Sequence, residues 1–119
     1  MTDVTLTAIA QQTTEQPEAP FEMANLRPEK TGLPFVVGVS QQGGARHGPR
    51  IKLSPLPRYN PAEAITVTLE DPPRALAPLP DTDLALVTSW IELNRTTIEQ
   101  YWSGEIAYTE DMLARIESV

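Results

Sequence analysis

The sequence predicts a small α+β domain: a three-stranded antiparallel meander with one long helix packed across it, a short C-terminal helix and a flexible N-terminal arm. Short apolar or alternating runs, separated by connections rich in proline and glycine, fill residues 34–70 with a period of two. The period changes at Leu84, from which apolar residues recur at helical spacing as far as Trp102. Consecutive strands followed by helices favour α+β over a parallel α/β sheet.

Residues 1–20 are expected to form a flexible acidic arm, since they hold Asp3, Glu15 and Glu18 with no base and end in the polar tract QQTTEQPEAP. Val4, Leu6 and Ala8 alternate, which leaves a short added edge strand open. Residues 21–119 then read as a single domain, entered through a connecting segment, Phe21 to Lys30, with Phe21, Met23 and Leu26 as anchors. The first strand is expected over about 34–40, with Phe35, Val37 and Val39 on one face and Val36 and Gly38 on the other. Glycine inside a strand marks a bulge or a close approach of another segment. The second strand, about 49–54, buries Ile51 and Leu53 and turns Arg50 and Lys52 to the opposite face. The third, about 64–70, points Ile65, Val67 and Leu69 inward and Thr66 and Thr68 outward. The linkers PLPRYNPAEA and EDPPRALAPLP carry too much proline for regular structure.

Asp81 or Thr82 is the expected N-cap of the long helix, with Asp83 in the first turn, where the helix dipole favours an acid. Leu84, Val87, Ile91, Ile98 and Trp102 fall on one stripe; Leu86, Trp90, Leu93 and Tyr101 widen it, and Gly104 supplies the stop. Roughly 20 residues of helix span about 30 Å, enough to cover three strands. Thr109 is expected to cap the short helix, which runs to about Glu117 with Met112, Leu113 and Ile116 inward.

A chain of 119 residues has room for one domain. Without cysteine it forms no disulfide, no thiolate metal site and no cysteine nucleophile, and it suits a reducing compartment. The N-terminus lacks the pattern of a secretory signal, and no run approaches the ~18 apolar residues of a membrane span. A soluble, cytoplasmic protein without membrane contact is expected. The net charge of −7 is polarised along the chain: residues 21–58 carry a balance of +4 and residues 59–119 a balance of −8. Such asymmetry orients an approaching partner.

Two candidate surfaces follow. The connection between the first two strands gathers Gly43, Gly44 and Gly48 with Arg46, His47 and Arg50, ahead of Lys52. Clustered cations and glycine-freed amides suit an anion or an RNA phosphate. Histidine is also the side chain suited to general acid–base work near neutral pH. His47 is the only histidine, so a second catalytic group would have to be Glu22, Glu29 or Tyr59, and binding is favoured over cleavage. The other surface is the acidic helix, where Glu92 and Glu99, seven residues apart, share one face, and Trp102 beside Tyr101 is a candidate interface anchor. There is no P-loop, HExxH, EF-hand or GxSxG pattern, so no cofactor, metal or catalytic residue is expected.

The residues Leu79-Pro80, Leu84 to Val87, Trp90 to Arg95, Ile98 and Tyr101-Trp102 resemble the helix of a family of small bacterial domains of unknown function. Its members carry a Pro-His-Phe-His strand followed by a tryptophan-terminated helix and are associated with toxin–antitoxin or phage-defence loci. The resemblance covers about the last forty residues; the chain carries no Pro-His-Phe-His segment, and the Arg46-His47-Gly48-Pro49 tip is its only analogue. Read with the acidic charge of the C-terminal half, this suggests a non-enzymatic protein-interaction module, an antitoxin-like or phage-encoded inhibitor, acting through the acidic surface on a protein partner. An RNA-binding or RNA-cleaving toxin-type protein, using the Arg46-His47-Arg50 tip on nucleic acid, is the alternative, and a structural subunit of a larger assembly is a third. The sequence leaves the oligomeric state open.

Overall fold

A computed structural model of the protein describes residues 23–119. The arm expected over residues 1–20, the alternation of Val4, Leu6 and Ala8, and Phe21 lie outside the described residues. The fold is α+β with an antiparallel sheet and a long helix, but among the described residues the sheet has four strands instead of three. The additional strand, β1 (Met23–Leu26), lies in the segment expected to be a mere connection. It pairs with β2 (Val36–Ser40), β2 pairs with β3 (Arg50–Ser54), and β3 pairs with β4 (Ile65–Thr68). Ala24 and Leu26 stand opposite Val39 and Val37 and share their face, while Met23 and Asn25 share the other with Ser40 and Gly38. Four residues are too few for this alternation to stand out, and Pro28 two positions later reads as a loop signal. The chain in fact turns there through a single helical turn, α1 (Pro28–Thr31), closed by Gly32 at φ 81°.

One face of the sheet carries the core. Val37, Val39, Ile51, Leu53 and Val67 are buried and meet Val87, Trp90, Ile91, Ile98 and Tyr101 of α2 (Asp81–Ser103). Met112 of α3 (Thr109–Arg115), with Ile106 and Ile116 on either side, closes one end. Side chains of this size contribute about 1.5–3 kcal/mol each when fully buried. Leu86 and Leu93, expected to widen the apolar stripe, are exposed instead; seven residues apart, they lie on a helix face turned away from the core. The helix starts also differ from expectation. Pro80 occupies the N-cap position of α2 and Tyr108 that of α3, neither with a side-chain cap. Asp81 and Asp83 sit in the first turn, and Gly104 ends the helix at φ 89° as expected.

The opposite face is partly roofed. Pairing runs without interruption through Gly38, opposite Asn25 on one side and Lys52 on the other, so no bulge forms there. Close approach is the reason for the glycine: a Cβ would stand 3.2 Å from Met23 Sδ and 3.4 Å from Tyr59 Cε1. The loop after β3 therefore folds back over this face, held where buried Ser54 accepts from Asn60 N–H at 2.8 Å. The next proline-rich linker is less irregular than its composition implies. It covers the free edge of β4 with one antiparallel bridge, Val67 to Ala75, where Thr68 N–H donates to Arg74 O and Leu76 N–H to Thr66 O.

Residues after α3 are strapped across the helices. Buried Asn94 donates from Nδ2 to Glu117 O at 2.9 Å and accepts from Glu117 N–H at 2.8 Å. Val119 N–H donates to Thr31 O at 3.0 Å.

Candidate functional site

The glycine-rich connection between β2 and β3 is seated on the C-terminal end of α2. Gln42 N–H donates to Trp102 O at 3.0 Å, and Gln41 Nε2 reaches Ala107 O at 2.9 Å. Gly43, at φ 53°, lets the chain turn so that Ala45 N–H donates back to Gln42 O at 2.8 Å. His47 then lies over Trp102, ring centroids 5.3 Å apart and tilted by 34°. Its Nδ1 is 2.9 Å from Gly48 O; with the proton on Nδ1 it donates there and leaves Nε2 as an acceptor.

Beneath this seat is a cavity of about 220 Å³. Its sheet side is built by Ser40, Arg50 and Lys52, which strand alternation puts on the face opposite the core, with Met23 of β1 at the margin. The other side is built by Ala45, His47 and Trp102. Trp102 is 8% exposed and contributes to this wall rather than to the central core. The cavity is therefore basic where the strands line it, while its other side combines the Trp102 ring and Ala45 with the polar loop residues Gln41, Gln42 and His47.

Arg50 is the unusual member. Its Nε is buried with no hydrogen-bond acceptor, and it forms no ion pair among the described residues. A buried donor left unmatched costs about 1–3 kcal/mol, more for a charged group. Lys52 Nζ donates to Thr66 Oγ1 at 2.8 Å, a neutral partner, and forms no ion pair among the described residues. Arg50 also borders a second opening of about 250 Å³ with Thr68, Arg74 and Glu99, so it stands between two accessible spaces.

Four of the seven sequence-predicted residues, His47, Arg50, Lys52 and Trp102, thus line one cavity. Arg46 is exposed on the tip and does not line it. Glu92 and Glu99 lie apart from it on α2, flanking Arg95 at 3.1 and 3.8 Å, with their side chains 51% and 48% exposed. Arg95 also donates to the carbonyls of Leu69 and Glu70, fastening the helix to the end of the sheet. Of the other lining residues, Ser40, Gln41, Gln42 and Ala45 were not singled out from sequence, and Met23 was read only as an anchor of the connecting segment. The signal for Gln41 and Gln42 was an amide pair directly after a strand; Met23 had none once β1 went unrecognised.

Among the described residues, no carboxylate lines the cavity beside His47; Glu22 lies outside them. Tyr59, on the same face of the sheet, is held above its ordinary pKa by burial and so stays protonated near neutrality. Among the described residues no group of three or more histidines or carboxylates could hold a metal ion, and no helix is long and apolar enough to cross a membrane. The arrangement sets two cations beside an aromatic wall, a combination suited to an anion. No family model, no curated protein and no solved structure matches this chain.

Proposed function

We propose that this chain is a non-enzymatic interaction module that engages a protein partner through the cavity at the base of the β2–β3 hairpin. The observation that carries this reading is Arg50, buried at its Nε and unpaired among the described residues, in a cavity that also holds Lys52 and His47. An incoming anionic group would compensate the guanidinium charge that no described residue pairs. The net charge of −7 disfavours an extended polyanion, whose phosphates would meet the surrounding carboxylates, and favours a partner with one well-placed anion. Glu92 and Glu99, both drawn to Arg95, present a partly compensated surface. This shifts the weight from the acidic helix to the hairpin; inhibition of a partner, as in an antitoxin-like or phage-encoded inhibitor, is a role such a module would serve. The same cavity carries a second reading, single-stranded RNA binding, because His47 and Trp102 offer a stacking surface beside cations.

The test is a partner recovered by affinity purification from the native host, then measured against variants. Arg50→Gln is expected to weaken binding at least tenfold, mainly through faster dissociation, and Glu92→Lys with Glu99→Lys to change it little. Strong loss on reversing the glutamates, with none at Arg50, would return the functional face to the acidic helix.

A further inference from the structure

We infer that the cavity receives a carboxylate side chain, an aspartate or glutamate on an exposed segment of the partner, with an apolar neighbouring residue against Met23 and Trp102. This rests on the reading of the chain as a protein-binding module and names what that module recognises. Size argues for a side chain: about 220 Å³ falls below the ~300 Å³ at which pockets begin to hold whole small ligands. The donor set argues for a carboxylate. A guanidinium presents a planar fork that two carboxylate oxygens match, and Lys52, already given to Thr66, adds charge without needing a second oxyanion group. The Trp102 ring and Ala45 lower the local dielectric and strengthen one ion pair. They offer nothing to the several phosphates of a nucleic acid. His47, exposed above Trp102, completes the rim.

The probe is the capped tripeptide acetyl-Leu-Glu-Leu-amide, compared with its glutamine analogue and with uridine monophosphate, each titrated to millimolar levels into the full ¹⁵N-labelled chain. The Arg50 Nε–H and Trp102 indole N–H signals report occupancy. The glutamate peptide is expected to shift both saturably, the glutamine analogue to bind at least tenfold more weakly, and Arg50→Gln to abolish the difference. Arg50→Lys, which keeps the charge, should restore part of it; an unchanged pattern of the remaining amide signals shows that each variant is folded. Equal binding of the two peptides, no saturable shift with glutamate, or tighter binding of the nucleotide would each overturn the carboxylate assignment. The two readings fail separately. If Arg50→Gln releases the purified partner but the nucleotide outbinds the glutamate peptide, only the ligand class is wrong. If the partner stays bound to that variant, the hairpin cavity is not the partner's site at all.

Discussion

Trp90 lies fully buried at the centre of the core, and its indole N–H finds no acceptor among the described residues. Two substitutions separate its packing from its polarity. Trp90→Ala is expected to cost about 3–5 kcal/mol through the cavity it leaves. Trp90→Phe keeps most of the volume and removes a donor whose unmatched burial costs about 1–3 kcal/mol, so it should cost much less. Denaturant unfolding of both variants checks the order, and equal losses would mean that the N–H is satisfied in solution. Tyr59 gives a pH test. Burial raises its folded pKa above the ordinary 10.0, so its contribution is fully present below about pH 10 and is lost as the pH rises through the folded value. Tyr59→Phe should flatten the alkaline fall of stability, measured by chemical denaturation across that range. At this scale much was legible in the sequence: Ile51, Leu53 and Val67 alternate with polar neighbours, and each is buried. The orphaned donors were not, because whether an N–H finds an acceptor depends on where another segment's carbonyls fall.

Among the elements, β1 shows where pattern reading runs out. Met23-Ala24-Asn25-Leu26 obeys the strand alternation, but it becomes a strand only because β2 offers an edge for it to pair with. Gly38 reports the resulting crowding from the middle of β2. A methyl group there meets Met23 Sδ and Tyr59 Cε1, so Gly38→Ala is expected to lose about 1–3 kcal/mol to overpacking, offset by about 0.4–1 kcal/mol of reduced chain entropy. The net loss of about 1 kcal/mol is measurable by thermal unfolding. Because Met23 also borders the cavity, the same variant should perturb the Trp102 indole signal; a stability loss with that signal unmoved would separate the strand from the site. The helix was read with better fidelity, since 23 residues repeat their period several times and Gly104 marks the end. Besides its N-cap, its flank was misjudged at Leu86 and Leu93: periodicity gives a stripe, and its width depends on how far the sheet extends beneath it.

For the whole molecule, the candidate site was half legible. Arg50 and Lys52 fall on the outer face by alternation alone, and Ile51 and Leu53 between them fix the phase. Nothing in the sequence brings His47 to Trp102, fifty-five positions later, because the point where a loop tip lands along a helix is set by sheet twist and strand length. The charge layout, +4 over residues 21–58 and −8 over residues 59–119, predicts a measurable asymmetry. Added salt should slow association with an acidic partner by screening its attraction to the hairpin, while leaving dissociation of the seated carboxylate less affected. Stopped-flow measurement at two ionic strengths tests this, and faster association in salt would identify a basic partner instead.

Asn94 and the strap it holds have a consequence for how the fold comes apart in time. The strap joins Glu117 to the middle of α2 and Val119 to Thr31, contacts made between segments far apart in sequence. Contacts of that kind repay the ordering of the chain only after the sheet and helix have met, so they are expected to form after the rate-limiting step. Asn94→Ala should then leave the folding rate nearly unchanged and speed unfolding, with a φ-value near zero. The strap would act as a brake on opening: it sets how long the native state lasts once formed and has little part in how quickly it is reached.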